Sequence, residues 1–304
     1  MPSYLETINS LIATEAAAHP GLLQFGENID KGSRICGIAR SLSGRVLNVG
    51  NTENTHVGAG FGMMLAGMNS VLFVKQLDFL ALALDPMVNT LSLLRASQDL
   101  DRLGSFSIVV IVCDQGWQGP QSSFNDLAGI CSMARADGYS LTNLGEAQRV
   151  IQHQLVRPGF RIVALSQRLF PAPILDLPVV SGWGRDAVVQ YASGQDATIA
   201  CLGFTLPKGA ALAGEWSARG RTASLVSVQP VLPHWFGPIV ESAARTRRLV
   251  VLDDGKGAVS MAHKIAVQAL RIEPACHVTI HTREAEVCHR VNEDRFEAAL
   301  ELAC

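Results

Sequence analysis

Charged and aromatic side chains are in short supply in this chain. Of its 304 residues, 17% are Asp, Glu, Lys or Arg and 6% are aromatic. The net charge is −2 and Lys and Arg form no cluster, so the basic face that nucleic-acid binding needs is missing. No apolar run reaches the roughly 20 residues of a membrane-spanning helix. The opening Met1-Pro2-Ser3-Tyr4-Leu5-Glu6 lacks the charged-then-apolar order of an export signal. Seven cysteines are scattered at Cys36, Cys113, Cys131, Cys201, Cys276, Cys288 and Cys304, with no CxxC pair. An odd, dispersed set reads as reduced thiols in a cytoplasmic protein and argues against zinc. His277 and His281 are four apart but fall on a strand-like run, which is not metal-ligand spacing on a helix, so no metal site is expected. A dinucleotide fingerprint is absent too. In Gly58-Ala59-Gly60-Phe61-Gly62 the third glycine comes one residue early, and Val74 is followed by Lys75 and not by an acid. The chain has no low-complexity segment and no short repeat.

What is present is apolar. Hydrophobic residues make up 48% and mean hydropathy is above zero. That balance suits an α/β protein with much buried surface, some of it between subunits. Leu5, Ile8, Leu11 and Ile12 have helical spacing over 5–18. Short apolar runs predict strands at 46–49, 71–74, 108–113 and 162–165, with helices at 57–67, 86–97, 124–137 and 145–157. Asp85 is expected to cap the helix that Pro86 opens. A proline-bearing stretch, Phe170 to Pro178, reads as an interdomain linker. The rhythm then restarts, with strands at 197–201, 223–228, 249–253 and 277–280 and helices at 207–219, 258–271 and 293–302. The expectation is two α/β domains, 1–178 and 179–304, the first built on a parallel sheet.

The most informative stretch is Glu53-Asn54-Thr55-His56-Val57-Gly58-Ala59-Gly60-Phe61-Gly62. The strand-like Arg45 to Val49 leads into it and small helical residues follow. Glu53 is therefore a lone acid where a strand gives way to a helix. Ligands of α/β sheets collect beyond the carboxyl ends of strands, so Glu53 is a candidate proton-transfer group. The plainer alternative is a helix-start carboxylate favoured by the helix dipole. Glycines 58, 60 and 62 allow another backbone or a flat ligand to come close. His56, three residues on, either points toward a substrate or is a partly buried structural histidine.

Taken together and in order, several segments resemble the second half of thiamine-diphosphate enzymes of the transketolase and 2-oxo-acid dehydrogenase E1-β group. They are Gly26-Glu27, the Glu53 segment, Gln76-Leu77-Asp78-Phe79, Asp85-Pro86-Met87-Val88-Asn89, Asp196-Ala197-Thr198-Ile199-Ala200 and Arg248 to Asp254. The resemblance implies a pyrimidine-binding domain on a parallel sheet, followed by a smaller transketolase C-terminal-like α/β domain. It implies that Glu53 hydrogen-bonds N1′ of the aminopyrimidine and favours the imino tautomer, whose 4′ nitrogen takes the proton from thiazolium C2. Such an acid works best poorly solvated, so burial is expected to raise its pKa. Phe79 stands where the family stacks an aromatic ring on the pyrimidine; the alternative is an ordinary core phenylalanine beside Leu77 and Leu80. Gln76 joins the cofactor-binding candidates, and Gln76 and Asp78 also have a reading as solvent- or partner-facing residues.

Two departures narrow the expectation. The family's Gly-Asp-Gly diphosphate and metal motif is missing; the nearest string, Asp253-Asp254-Gly255, lies in the second half. Thiamine diphosphate is thus expected to be shared with an α-type subunit that holds the diphosphate and Mg²⁺, in an α2β2 assembly. In the Gly119-Pro120-Gln121-Ser122-Ser123 segment, Ser122 occupies the place where E1-β chains carry a histidine. Trp117, Gln118, Gln121, Ser122 and Ser123 are substrate-tuning candidates, with a plain surface loop as the alternative. The chain-end Glu301-Leu302-Ala303-Cys304 lacks the usual E1-β tail string. The expected function is the β-type subunit of a split transketolase acting on small 2-oxo or ketol substrates. The alternatives are an E1-β-like subunit of a 2-oxo-acid decarboxylase or dehydrogenase, and a non-catalytic scaffold of the same fold.

Overall fold

The structure is a computed structural model that describes residues 2–115, 125–185, 187–232, 234, 236–255 and 260–282. Helix α1 (Tyr4–Ala18) begins with a capping box: Ser3 Oγ accepts from the Glu6 N–H while the Ser3 N–H donates to Glu6 Oε2. Then follow β1 (Leu23–Gly26), β2 (Arg45–Asn48), α2 (Glu53–Leu65) and β3 (Ser70–Val74). A 3-10 segment (Leu77–Ala83) and a π turn (Pro86–Thr90) run into α3 (Leu91–Ser97). Strand β4 (Ser105–Val112), α4 (Leu127–Ala134), β5 (Asp137–Ser140), α5 (Leu144–Gln154) and β6 (Gly159–Ser166) complete the first unit. Its six strands lie in the order β2-β1-β3-β4-β6-β5, all parallel.

All eight residues of β4, Ser105–Val112, are buried. That continuous apolar run is what a strand covered on both faces requires. Its side chains alternate between two cores. Val109 and Ile111 meet Tyr4, Ile8 and Ile12 of α1 and Val150 and Ile151 of α5. Ile108, Val110 and Val112 meet Val57, Phe61 and Met64 of α2, Leu91 of α3 and Ile130 of α4. Helix α2 lies close to the sheet because Gly60 has no side chain; a Cβ there would sit 2.3 Å from the Phe106 ring.

The second sheet contains β7 (Ser181–Trp183), β8 (Val188–Ala192), β9 (Ala197–Leu202), β10 (Ala223–Val228), β11 (Arg248–Asp253) and β12 (His277–Thr282). Its order is β12-β11-β9-β10-β8-β7, with β7 and β8 antiparallel additions to a parallel core. Helix α6 (Leu206–Ala218) covers one face, and α7 (Gly237–Thr246) and α8 (Met261–Ile272) the other. The expected α/β class and parallel first sheet are as observed. The sequence reading omits β1, β5, β7, β8, α7 and the 3-10 segment, and it overextends the 124–137 helix. Arg135 turns left-handed at φ 51° and ends α4, freeing Asp137 to start β5. The expected helix at 293–302 lies outside the described residues. Asp85 does not cap: its side chain accepts from Asn89 Nδ2 at 2.7 Å, because the chain enters the helix through a π turn with Asp85 already helical.

Buried polar groups fasten the two sheets' units to each other. Glu146 at the start of α5 accepts hydrogen bonds from Thr142, Tyr191, Ser227 and Gln229, and burial raises its pKa. Asp254, just past β11, accepts from Asn125 Nδ2 at 2.8 Å and the Phe204 N–H at 3.2 Å. Arg168 Nη2 sits 3.2 Å from Asp254 and 3.6 Å from Asp114, whose carboxylate also takes Ser166 Oγ at 2.6 Å.

Candidate active site

In a parallel sheet ordered β2-β1-β3-β4-β6-β5, the connections leave β1 in one direction and β3 in the other. That reversal opens a crevice at the carboxyl ends of β1 and β3. The segment after β1 contributes Glu27, the segment after β2 contributes Glu53, and the segment after β3 contributes Gln76, Asp78 and Phe79. The topology thus brings Glu53, His56, Gln76 and Phe79 to one edge. Gln121, Ser122 and Ser123, with Trp117 and Gln118, lie outside the described residues.

Glu53 is the first residue of α2 and is partly buried. Thr52 precedes it without a side-chain cap. The Glu53 carboxylate makes no hydrogen bond or ion pair with any described residue, and its place in the first turn of α2 is also what the helix-dipole alternative requires. One turn on, His56 Nε2 lies 3.0 Å from Thr52 Oγ1, and its ring meets Phe25 edge-on at 6.5 Å between centroids. Burial pulls the His56 pKa down, opposed by the nearby Glu53 and Glu27 carboxylates. His56 is thus held by a hydroxyl and an aromatic edge at the same edge of the sheet as Glu53.

The loop after β1 is pinned to β2. The Ile29 N–H donates to Asn48 Oδ1 at 3.0 Å and the Val49 N–H to the Gly26 carbonyl at 3.0 Å. With its amide turned to donate, Asn51 lies 2.9 Å from Glu27 Oε2. Glu27 is thus already engaged, and Glu53 is the carboxylate left open. Phe79 sits on the 3-10 segment, its N–H donating to the Gln76 carbonyl at 3.1 Å. Its ring is half-buried against the core of α2 and β3. Gln76 is half-buried and its side chain has no partner among the described residues. Asp78 beside it is half-buried, and burial raises its pKa.

The three α2 glycines divide by role. Gly60 is used inward against Phe106, whereas a Cβ on Gly58 or Gly62 would meet nothing within 4 Å. Those two positions leave open backbone on the outer side of the helix that carries Glu53. The Asp253-Asp254-Gly255 string is not available to a ligand in the way a diphosphate motif would be: Asp254 is occupied by Arg168, Asn125 and Phe204.

The fold has solved counterparts. A split-gene transketolase, described as an inactive β4 tetramer, superposes with a TM-score of 0.72 at 17% identity, over 99% of this chain and 93% of that one. The chain has the transketolase C-terminal, E1-β-like fold. Among curated proteins, the pyruvate dehydrogenase E1 β subunit of Rhizobium meliloti (strain 1021) is 22% identical over 287 residues, covering 88% of this chain and 59% of that protein. The mitochondrial pyruvate dehydrogenase E1 β-1 subunit of Oryza sativa subsp. japonica is 23% identical over 312 residues, covering 96% of this chain and 75% of that protein. The chain therefore spans about 59% of the first relative's length. No protein-family model matches it. Within the E1-β-like fold, Glu53 heads the helix at the switch point and Phe79 follows the adjoining strand. The sequence points to both. The Asp114–Arg168–Asp254 seam carries no sequence signal, because its members lie 54 and 86 residues apart.

Proposed function

We propose that this chain is the β-type, pyrimidine-binding subunit of a two-component thiamine-diphosphate enzyme, with the chemistry of a split transketolase. The observation that carries the reading is the partly buried Glu53 carboxylate at the sheet's switch point, bonded to no described residue. Phe79 follows the next strand across the crevice. The residues fit the group: Glu53 offers a ring nitrogen an acceptor that no described residue takes up, and Phe79 offers a half-buried aromatic ring at the same opening. When bound, thiamine diphosphate supplies the chemistry that makes or breaks a carbon–carbon bond next to a carbonyl. Glu53 holds and shares a proton at the pyrimidine nitrogen, Phe79 orients the ring, and His56, neutral and tied to Thr52, packs the floor of the crevice. Gln76 and Asp78 border the same opening.

The diphosphate and Mg²⁺ belong, in this reading, to a separate α-type subunit. The absent Gly-Asp-Gly and the occupied Asp254 support that division, as does the open backbone at Gly58 and Gly62, which leaves α2 a surface for close approach. The structural relative's description as an inactive β4 tetramer fits a β chain that needs a companion, with α2β2 the proposed assembly. A 2-oxo-acid dehydrogenase role is the second reading, favoured by the two pyruvate dehydrogenase relatives.

The test is Glu53→Gln in the complex reconstituted with its α-type companion, assayed with a ketol donor and an aldehyde acceptor, and separately with pyruvate. Turnover on one of these substrates should fall by roughly 10²–10⁴-fold, the usual loss for a proton-transfer group, with fold and subunit association unchanged. Equal turnover by variant and parent leaves only a scaffold role. Activity of the lone chain would overturn the two-component assignment.

A further inference from the structure

The opposite end of the first sheet holds a cavity of about 170 Å³ lined by five arginines, Arg95, Arg135, Arg157, Arg161 and Arg185. Among the described residues, two carboxylates, Asp101 and Asp137, are the acids in the lining. This end is an eight-residue strand, about 25 Å, from the Glu53 edge. The arginines come from α3, the end of α4, the turn before β6, β6 itself and the turn after β7. Register explains part of the convergence: Asp137 on β5 and Ser107 on β4 both pair with Arg161 on β6, so all three side chains stand on one face.

The carboxylates do not balance this charge. Asp137 is committed to Arg185 at 3.3 Å and to the Leu232 N–H at 2.9 Å. Asp101 is 79% exposed and lies 4.0 Å from Arg157, a loose contact in water. Arg135 makes no ion pair with any described residue. Arg95 spends its donors on the carbonyls of Ala134 and Arg135.

Arg161 is the decisive member. It is 4% exposed, yet its partners are neutral: Ser107 Oγ at 3.2 Å and the Pro158 carbonyl at 2.7 Å. A buried guanidinium without a direct ion pair is costly, and burial pushes its pKa down to about 10, with Tyr139 and Asp137 pulling partly the other way. Beside it, the buried Tyr139 hydroxyl has no partner. The volume far exceeds the roughly 10–15 Å³ that one water needs.

We propose that this arginine cavity binds a phosphate group, either free phosphate or the phosphate of a small phosphorylated metabolite. Guanidinium forks match phosphate oxygens two at a time, and several of them converge here. A phosphate carries about −1.5 to −2 at pH 7, which answers an excess of positive charge that a single carboxylate would leave unbalanced. The lining includes Arg185 and Leu232 of the second unit, so an anion bound there bridges both units. The site is independent of the thiamine reading.

The experiment is calorimetric titration of the full-length chain with inorganic phosphate and, separately, with fructose 6-phosphate, at constant ionic strength set by KCl. Thermal unfolding is followed in parallel. The expected result is saturable one-to-one binding and a raised midpoint. The double variant Arg135→Ala/Arg157→Ala, which removes one exposed and one half-buried side chain, should weaken binding at least tenfold, and its ligand-free midpoint separates lost binding from lost stability. Arg161→Met, read by the same titration, should abolish binding where it folds. Equal affinity for both probes assigns the phosphate group itself, and tighter sugar-phosphate binding assigns a phosphorylated metabolite; either supports the site. No heat or midpoint change beyond that of matched chloride overturns it, as does parent-like binding by the double variant.

Discussion

Replacing Asp254 with Asn should flatten the pH dependence of this protein's stability. Asp254 is 2% exposed and shares one guanidinium, Arg168, with Asp114. Burial pushes its pKa up to about 7; Arg168 pulls the other way, and the neighbouring Asp114 and Asp253 add to the rise. In the unfolded chain an aspartate titrates near 3.9, about three units lower. The folded state therefore keeps a proton that the unfolded state has lost. Stability from this group is intact below about pH 4 and is lost as pH rises toward 7, in total about 4 kcal/mol. Between pH 5 and 8 the parent should lose about 3 kcal/mol through Asp254 alone, on the order of 1 M in urea midpoint. Asn keeps a carbonyl for the Phe204 N–H and Asn125 but cannot ionise, and Arg168 retains Asp114. Urea unfolding of parent and Asp254→Asn at pH 5, 6, 7 and 8, read by tryptophan fluorescence and circular dichroism, measures the difference. Glu146 titrates in both proteins and cancels. The same pH slope in both would refute the reasoning.

Gly60→Ala should destabilise the chain by about 1–3 kcal/mol, since its Cβ enters the Phe106 ring and that ring is fixed by Phe61 and Phe160 at 5.3 Å each. Gly62→Ala, in open space on the same helix, should gain about 0.5–1 kcal/mol, and thermal denaturation of the pair reads the contrast. Gly62→Trp should leave the lone chain folded while weakening association with the α-type companion at least tenfold by sedimentation; undiminished association would remove that helix face from the interface.

The parts of the fold that a sequence shows are those with local causes. Strand β4 announces itself because burial on both faces leaves no polar residue to break the run Ile108-Val109-Val110-Ile111-Val112. The place of Glu53 at the head of α2 is legible because a strand-like run gives way there to small helical residues; a plain helix-start carboxylate reads the same way, so its role is not. Strand β1 is four residues long and carries the buried amide of Gln24, so no periodicity marks it. Helix α7 is legible only in hindsight: β10 and β11 each pair with β9 in parallel, so the chain between them must cross back, and Pro238 in its first turn is the local signal. Asp85 fails as a cap for a tertiary reason, the π turn that carries Met87 into the core. The arginine cavity is invisible in sequence. No two of its arginines are closer than four residues, and only the parallel topology gathers them.

Strand β2 is the outermost of the first sheet, four residues long, with Leu47 51% exposed. The helix that carries Glu53 departs from it. Along one whole flank this short ribbon has amides and carbonyls that no strand among the described residues takes up. The acid is therefore mounted on the thinnest beam of the framework, and whatever lies along that flank steadies its aim. A chain that paired with that flank would also fix where α2, and with it Glu53, begins.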